Sequence, residues 1–158
     1  IGVGPRGLSI ARDAKVYGDI VAISDVDRDR MYQANVALSD GKADLYGDYR
    51  KLVDRKDLDV VVIGSPDHWH TKMCLDAMRA GKDVYCEKPL TLTVDEGKRL
   101  CQAVSETRRV LQVGTQQRSE MKNMFLTAVA MVREGRIGRV KRVTCGIGPA
   151  PRGGPFMA

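Results

Sequence analysis

Four short apolar runs constrain the fold of this chain more than any other feature. They cover residues 20–24, 60–63, 84–86 and 110–113, and each stops at a polar residue or a glycine. Continuous apolar strands of this kind are covered on both faces, as in parallel sheets. Because helical patterns lie between the runs, the sequence predicts an α/β fold with a doubly wound parallel sheet.

Two of the intervening helices have recognisable core-facing positions, and the second begins at a capping box formed by Thr93 and Glu96. Cysteines fall on both faces, where a free thiol behaves as a small core residue. The four cysteines contain no C-x-x-C pair, so neither a zinc knuckle nor a redox dithiol is indicated, and a cytoplasmic location is expected. The predicted core faces are His70, Met73, Cys74 and Ala77 in one helix, and Val94, Gly97, Cys101 and Val104 in the other.

A boundary is predicted near Arg118, which divides the chain into a domain of residues 1–118 and the beginning of a second domain, residues 119–158. Ser119 is expected to cap a longer helix that stops at Gly135, and a strand is expected over Val140–Ile147. A loop rich in glycine and proline follows. The predicted core face of the longer helix is Met121, Met124, Phe125, Ala128, Met131 and Val132.

Residues 2–7 match the pattern G-x-G-x-x-G. In a dinucleotide-binding loop, Gly2 permits the tight turn, Gly4 lets the backbone approach a pyrophosphate, and Gly7 allows close packing of helix on strand. Arg6 is expected to reach a phosphate oxygen. The loop therefore favours a Rossmann-type sheet, although the pattern alone is weak in a chain with 16 glycines.

Asp25 follows the next predicted strand, 18 residues after Gly7. An acidic residue at about this spacing binds the ribose hydroxyls of the adenosine and repels a 2′-phosphate, so the predicted cofactor is NAD. Ser24 and Arg28 could serve a 2′-phosphate, which keeps NADP as an alternative. The competing interpretation of Asp25 is a helix cap.

The segment of residues 65–70 follows the third apolar run and is predicted to border the cofactor crevice. A metal site formed by its histidines and Cys74 lacks a convincing third ligand and is not expected. A further alternative for His70 is simple packing between sheet and helix. The candidate cofactor contacts in this segment are Ser65, Pro66, His68, Trp69 and His70.

A charged pair, Glu87 and Lys88, followed by Pro89, stands at the carboxyl end of the run 84–86. In open α/β sheets, ligands bind in the crevice outside the carboxyl ends of the strands. This position suits a reactive site, and the alternative is an ordinary surface turn that contains a lysine.

Together, residues 65–70, the Gly81-Lys82 turn and residues 86–90 resemble the Gfo/Idh/MocA family, of glucose–fructose oxidoreductase and inositol 2-dehydrogenase type. The resemblance covers essentially the whole chain and includes the glycine loop. It implies a Rossmann domain followed by an α/β domain built on a mainly antiparallel sheet. It also implies NAD(P) and oxidation or reduction at a carbinol carbon of a sugar, a cyclitol or a related molecule.

The resemblance also implies roles for single residues. Lys88 would lie nearest the reacting substrate oxygen, with its pKa lowered by partial desolvation. Glu87 would orient the cofactor or tune Lys88, and Pro89 would hold the turn through a cis bond. Gln116 and Arg118 would meet the nicotinamide and the substrate. Further catalytic residues are expected beyond this segment, so activity of the segment alone is not expected, and a homo-oligomer is expected.

Three other functions compete with a dehydrogenase. A non-catalytic nucleotide-binding sensor on the same fold stays open, whereas a methyltransferase using S-adenosylmethionine does not explain the Glu87–Lys88 pair. Nucleic-acid binding is not expected despite the net charge of +6, because aromatic residues make up only 5% of the chain and supply no stacking platform. A membrane span is not expected either, because no apolar run approaches ~20 residues.

Overall fold

The computed structural model describes residues 1–118 and 121–146. The chain divides into two compact units, residues 1–115 and a second unit that begins at Gln116. In chain order, the helices and strands are α1 (Pro5–Ala14), β1 (Ala22–Ser24), α2 (Arg28–Ser39), β2 (Asp44–Tyr46), α3 (Tyr49–Val53), β3 (Val60–Ile63), α4 (His70–Arg79), β4 (Asp83–Glu87), α5 (Val94–Thr107), β5 (Leu111–Gly114) and α6 (Met124–Arg133).

All strand pairs in the first unit are parallel. β1 pairs with β2, while β3, β4 and β5 form a second group in that order. Residues 1–2 join the two groups: Gly2 N donates to Ser24 O (2.8 Å), and Gly64 N donates to Ile1 O (2.9 Å). Parallel pairing brings the carboxyl ends of the strands to one edge, so the predicted Rossmann-type α/β fold is confirmed.

The strand bounds differ from the predicted ones by one or two residues: β4 covers Asp83–Glu87 rather than 84–86, and β5 covers Leu111–Gly114 rather than 110–113. The first strand begins at Ala22 rather than Ile20, and the strand β2 was not predicted at all. β2 has only three residues, Asp-Leu-Tyr, and none of them is fully buried. A segment so short and polar carries no apolar run, and its strand character comes from pairing with β1.

The larger of the two cores lies between the β3–β4–β5 group and the helices beside it. Cys74 and Ala77 of α4 and Cys86 of β4 are completely buried, and Met73 is 7% exposed. The predicted core face of α4 is therefore confirmed, together with His70 at its start. The smaller core includes Ile23 of β1 and Leu38 of α2.

The capping box of α5 is confirmed, because Thr93 Oγ1 accepts from Glu96 N and Glu96 Oε2 accepts from Thr93 N. Of the predicted core face of this helix, Val104 packs against the larger core, but Val94 and Cys101 do not. Val94 is 80% exposed and Cys101 is exposed, whereas Leu100 and Ala103 are buried. The face of α5 that packs against the larger core is formed by Leu100, Ala103 and Val104.

The second unit departs most from prediction. Its helix begins at Met124 rather than behind Ser119, which lies outside the described residues, and the N-cap Asn123 has a φ of 60°. The predicted stop is confirmed, since α6 ends at Arg133 and Gly135 has a φ of 74°. Met124, Phe125, Met131 and Val132 are exposed, so the predicted core face is not buried within the described residues.

The strand predicted over Val140–Ile147 is wrong for residues 140–146, which have no regular structure; Ile147 lies outside the described residues. A strand persists only where a neighbouring strand satisfies its backbone N–H and C=O groups. The described part of the second unit, residues 116–118 and 121–146, contains no such neighbour. Within the part of the chain that the structure describes, no helix combines the length and the apolar character needed to cross a bilayer.

Candidate functional site

Two glycines of the 2–7 loop are required by the fold itself. Gly2 has a φ of 75°, and a Cβ there would lie 2.5 Å from Ser65 N. A Cβ on Gly7 would lie 1.8 Å from Gly2 O, because α1 starts directly on the loop. These two positions admit glycine alone, since the obstructing atoms belong to the backbone.

Gly4 differs from its two neighbours in the loop. A Cβ there would meet one described atom within 4 Å, Arg30 Nη1 at 3.9 Å, so the fold does not demand a glycine. Gly4 is the N-cap of α1, and Pro5 fills the first helical position. The open space before a helix N-terminus suits an anionic group that approaches the backbone closely, which is the requirement of a pyrophosphate.

Asp25 ties the end of β1 to the glycine loop. Its Oδ2 accepts from Val3 N (2.7 Å) and its Oδ1 accepts from Asp27 N (2.9 Å). The cap of α2 is Asp27, which accepts from Arg30 N, so the helix-cap interpretation of Asp25 is wrong. Each carboxylate oxygen can accept a further bond, which leaves Asp25 able to bind hydroxyl groups.

A cavity of about 470 Å³ opens beside Asp25, within the first unit. It brings together five of the residues predicted from sequence to contact the cofactor. Its wall is largely apolar, with the Asp25 carboxylate as a polar group, a composition typical of small-molecule sites. The residues in question are Gly2, Asp25, Ser65, Pro66 and Trp69.

Tyr49 also lines this cavity, and the sequence analysis missed it. Its ring meets the Trp69 ring edge-on at 6.4 Å between centroids. The hydroxyl donates to Asp76 Oδ2 (2.6 Å), and burial followed by this hydrogen bond raises the pKa of Tyr49. No sequence signal marks Tyr49, since its place depends on β2, which was not predicted.

The two histidines of the 65–70 segment have different environments. His68 is exposed, its ring lies 5.9 Å from that of Trp69, and it is not among the cavity residues that the structure describes. His70 is 1% exposed, and both of its ring nitrogens lie against backbone carbonyl oxygens. The expectation that His70 contacts the cofactor is therefore wrong, and its alternative, packing between sheet and helix, is confirmed. Among the described residues, no group of three or more His, Cys, Asp or Glu could hold a metal ion.

Glu87 is the last residue of β4 and is 4% exposed. Its Oε1 accepts from Arg6 Nε (2.8 Å) and Arg6 Nη2 (2.7 Å), and its Oε2 accepts from Lys88 N (3.1 Å). The Arg6 guanidinium thus binds this carboxylate, and the expectation that Arg6 also reaches a phosphate oxygen stays a prediction. The sequence analysis also missed Gly114 of β5, where a Cβ would lie 2.9 Å from Glu87 Oε1.

Lys88 lies at the carboxyl edge of the sheet, and its side chain is exposed. The partial desolvation expected for it beside a bound nicotinamide stays a prediction. The Lys88–Pro89 peptide bond is cis, as expected. Gln116 opens a short 3₁₀ turn, with a φ of 41°, at the start of the second unit.

Comparisons with known proteins agree with this geometry. The model of the Gfo/Idh/MocA oxidoreductase family, described as having an NAD-binding Rossmann fold, matches residues 2–115. An inositol 2-dehydrogenase of Klebsiella pneumoniae is 32% identical over 127 residues, 80% of this chain and 37% of the relative. An α-N-acetylgalactosaminidase of Shewanella oneidensis is 32% identical over 152 residues, 89% of this chain and 32% of the relative.

A solved scyllo-inositol dehydrogenase of Lactobacillus casei, with bound NAD(H) and scyllo-inositol, superposes with a TM-score of 0.76 at 26% identity. That match covers 87% of this chain and 40% of the solved chain. The chain thus spans about two fifths or less of the length of these three relatives. Since the family model accounts for nearly all of the first unit, the chain belongs to the Gfo/Idh/MocA family of oxidoreductases and has its NAD-binding Rossmann fold.

Proposed function

We propose that the protein is an NAD-dependent dehydrogenase that moves a hydride between nicotinamide and a CH–OH carbon of a sugar or cyclitol. The observation that carries the proposal is the ion pair between Arg6 and Glu87. Arg6 stands two residues after Gly4, and Glu87 adjoins Lys88 along the chain. The pair therefore sets the candidate pyrophosphate loop beside the candidate catalytic lysine.

Three parts of the cofactor can be assigned to described residues under this proposal. Gly4 and the N-terminus of α1 would receive the pyrophosphate. Asp25 would accept hydrogen bonds from the adenosine ribose, and its negative charge would oppose a 2′-phosphate. Trp69 and Pro66 would contact the adenine across the apolar wall of the cavity.

Lys88 is the proposed proton-transfer group. NAD, when bound, supplies the hydride acceptor or donor. Lys88 Nζ would take the hydroxyl proton of the substrate during oxidation and return it during reduction. Arg6 holds Glu87, and Glu87 accepts from the Lys88 backbone, so the two residues orient the lysine. Sugars and cyclitols are favoured as substrates by the inositol dehydrogenases among the relatives.

Glycoside hydrolysis is a second candidate function, because the relative from Shewanella oneidensis is named an α-N-acetylgalactosaminidase. The two candidates differ in a simple readout. A dehydrogenase that is given NAD and a panel of sugars and cyclitols accumulates NADH, which absorbs at a wavelength where NAD does not. A glycosidase releases free sugar from a glycoside without net NADH. A sensor binds NADH and does neither, and a protein without affinity for NADH contradicts both the dehydrogenase and the sensor.

Replacing Asp25 by asparagine is expected to weaken NADH binding by about 10- to 100-fold, because hydrogen bonds to a charged group contribute about 1.5–3 kcal/mol each. Affinity for NADPH should rise at the same time, since the charge that repels a 2′-phosphate is removed. Asparagine can keep the bond from Val3 N, which limits damage to the loop. Titration of both cofactors by intrinsic fluorescence measures the ratio.

Asp40→Asn is the matched control for this measurement. It removes the same charge at the exposed C-cap of α2, where the φ of 54° suits asparagine. Asp40→Asn should leave the NADH to NADPH preference unchanged. If Asp25→Asn also leaves the preference unchanged, Asp25 does not select the cofactor.

Replacing Gly4 by alanine should separate folding from cofactor binding. The added Cβ has room in the fold, so the free energy of unfolding should change by no more than about 1 kcal/mol, as for other N-cap substitutions. NADH affinity should fall at least about tenfold, because the methyl group occupies the space needed for close approach of the pyrophosphate. Gly18→Ala, at another open position, is the control. Unchanged NADH affinity in Gly4→Ala would place the pyrophosphate elsewhere.

A further inference from the structure

His70 joins the loops that follow two neighbouring strands. Its ring is 1% exposed and lies between two backbone carbonyl oxygens. Nε2 is 2.8 Å from Ser65 O in the loop after β3, and Nδ1 is 2.7 Å from Pro89 O in the turn after β4. Ser65 lines the cavity, and Pro89 directly follows Lys88.

The geometry constrains the protonation of this ring. A neutral imidazole has one N–H donor and one nitrogen lone pair, whereas an imidazolium has two donors. Carbonyl oxygens only accept, so a neutral ring would hold a lone pair against one of the two oxygens. Both contacts become hydrogen bonds only when both ring nitrogens carry protons.

The titratable groups around the ring are compatible with a positive charge on His70 and do not neutralise that charge. Cys86 on β4 and Cys74 on α4 are buried titratable groups beside His70, and the hydrogen bond that the Cys86 thiol donates to Cys74, followed by burial, raises the pKa of Cys86 and keeps it a neutral thiol. The carboxylate at the end of β4, Glu87, is bound by Arg6. Burial alone would lower the pKa of His70, but the nearby Cys86 side chain and the hydrogen bonds to the two carbonyls outweigh burial and raise the pKa to about 9.

We propose that His70 is a positioning residue whose doubly protonated ring holds the Ser65 carbonyl of the cofactor loop and the Pro89 carbonyl of the Glu-Lys-Pro turn at a set separation. One carbonyl belongs to a loop that lines the cavity and the other to the residue after Lys88, so the ring acts as a clamp between the cofactor cavity and Lys88. The functional part of the inference rests on the proposed dehydrogenase activity, whereas the protonation state of the ring does not.

The pH dependence of the clamp follows from the raised pKa. The pKa of an unfolded histidine is about 6.5, so the folded state binds the proton more tightly. The stabilisation is therefore complete below about pH 6.5 and is lost as the pH rises through about 9. Above that pH one of the two hydrogen bonds breaks.

Nitrogen NMR of the protein that carries this chain, labelled with ¹⁵N-histidine, tests the protonation state directly. The sequence printed here has two histidines, and the variants His68→Gln and His70→Gln assign their signals. Both ring nitrogens of His70 should be protonated at pH 7.5, and one proton should leave near pH 9. A ring with a single N–H at pH 7.5 would overturn the proposal.

His70→Gln tests the function of the clamp. Glutamine can donate to one carbonyl but not to both, so kcat should fall by about tenfold, equivalent to one lost hydrogen bond of about 1.4 kcal/mol. The kcat of the parent should fall between pH 8 and 9.5 as His70 loses a proton, and this fall should be absent in His70→Gln. The parent should melt at a higher temperature than His70→Gln, and the difference between the two melting temperatures should be larger at pH 6 than at pH 9.5. A difference in melting temperature that is independent of pH would contradict the clamp, and that readout stands even if the variant is too unstable to assay.

The outcomes also separate this inference from the proposed function. A protein that shows the doubly protonated ring but no NAD-dependent turnover keeps the clamp and loses the dehydrogenase. A dehydrogenase with a neutral His70 ring keeps its activity and loses the clamp.

Discussion

Replacing Lys88 by alanine is expected to lower kcat by about 10²–10⁴-fold in the protein that carries this chain, the range typical for loss of a general acid or base. The substitution removes the only part of the Glu-Lys-Pro turn that can exchange a proton with a substrate hydroxyl. Affinity for NADH should change little, because the proposed cofactor contacts lie at Gly4, Asp25 and Trp69. Stopped-flow fluorescence for binding and NADH absorbance for turnover measure the two effects separately.

Two further variants sharpen this test. Lys88→Arg keeps the positive charge but cannot release its proton near neutral pH, so it should be nearly as inactive as Lys88→Ala if proton transfer is the role of the lysine. Lys98→Ala removes a lysine from the exposed side of α5 and should leave turnover unchanged. Full activity of Lys88→Ala would remove the lysine from the mechanism, and full activity of Lys88→Arg would reduce its role to charge.

Replacing Gly7 by alanine is expected to destabilise the first unit by more than about 4 kcal/mol, a loss that only a few mechanisms produce. The new Cβ would lie 1.8 Å from Gly2 O and 2.8 Å from Gly2 C. Both obstacles are backbone atoms, so α1 would have to move away from β3 and the glycine loop. NADH binding should be lost together with stability, and urea unfolding followed by circular dichroism measures the latter.

Gly97→Ala is the matched control, with the opposite expected sign. Gly97 lies in the first turns of α5, and a Cβ there would meet no described atom within 4 Å. Alanine in a helix interior is favoured over glycine by about 0.5–1 kcal/mol, so this variant should be slightly more stable than the parent. A Gly7→Ala protein as stable as Gly97→Ala would show that the glycine loop can relax.

The difference between Gly4 and Gly7 is one feature of the candidate site that the sequence predicted. The G-x-G-x-x-G pattern predicted separate roles for its glycines, and the structure separates them sterically: Gly2 and Gly7 are needed by the backbone, whereas Gly4 faces open space. The position of Asp25 after β1 and of Glu87 at the end of β4 followed from the apolar runs, because parallel strands deliver their carboxyl ends to one edge.

Some predictions failed because they depended on packing over long distances. The core face of α5 was assigned from periodicity alone, and the helix is turned so that Leu100, not Cys101, is buried. The strand over Val140–Ile147 was assigned from alternation alone, and residues 140–146 have no pairing strand among the described residues. The residue pattern of a segment shows which of its surfaces are apolar, but the element that packs against the segment decides which of those surfaces becomes buried.

The sequence by itself determined four of the five strands in the first unit, their parallel arrangement, the helices α4 and α5, the glycine loop and the edge at which Asp25 and Lys88 stand. Those features follow from local composition and from the geometry of parallel strands. Only the tertiary structure decided that Arg6 binds Glu87 and that His70 spans two carbonyls. Arg6 and Glu87 are 81 residues apart, and His70 and Pro89 are 19 apart. Such contacts depend on side-chain reach across the folded sheet, which no local pattern in the chain encodes.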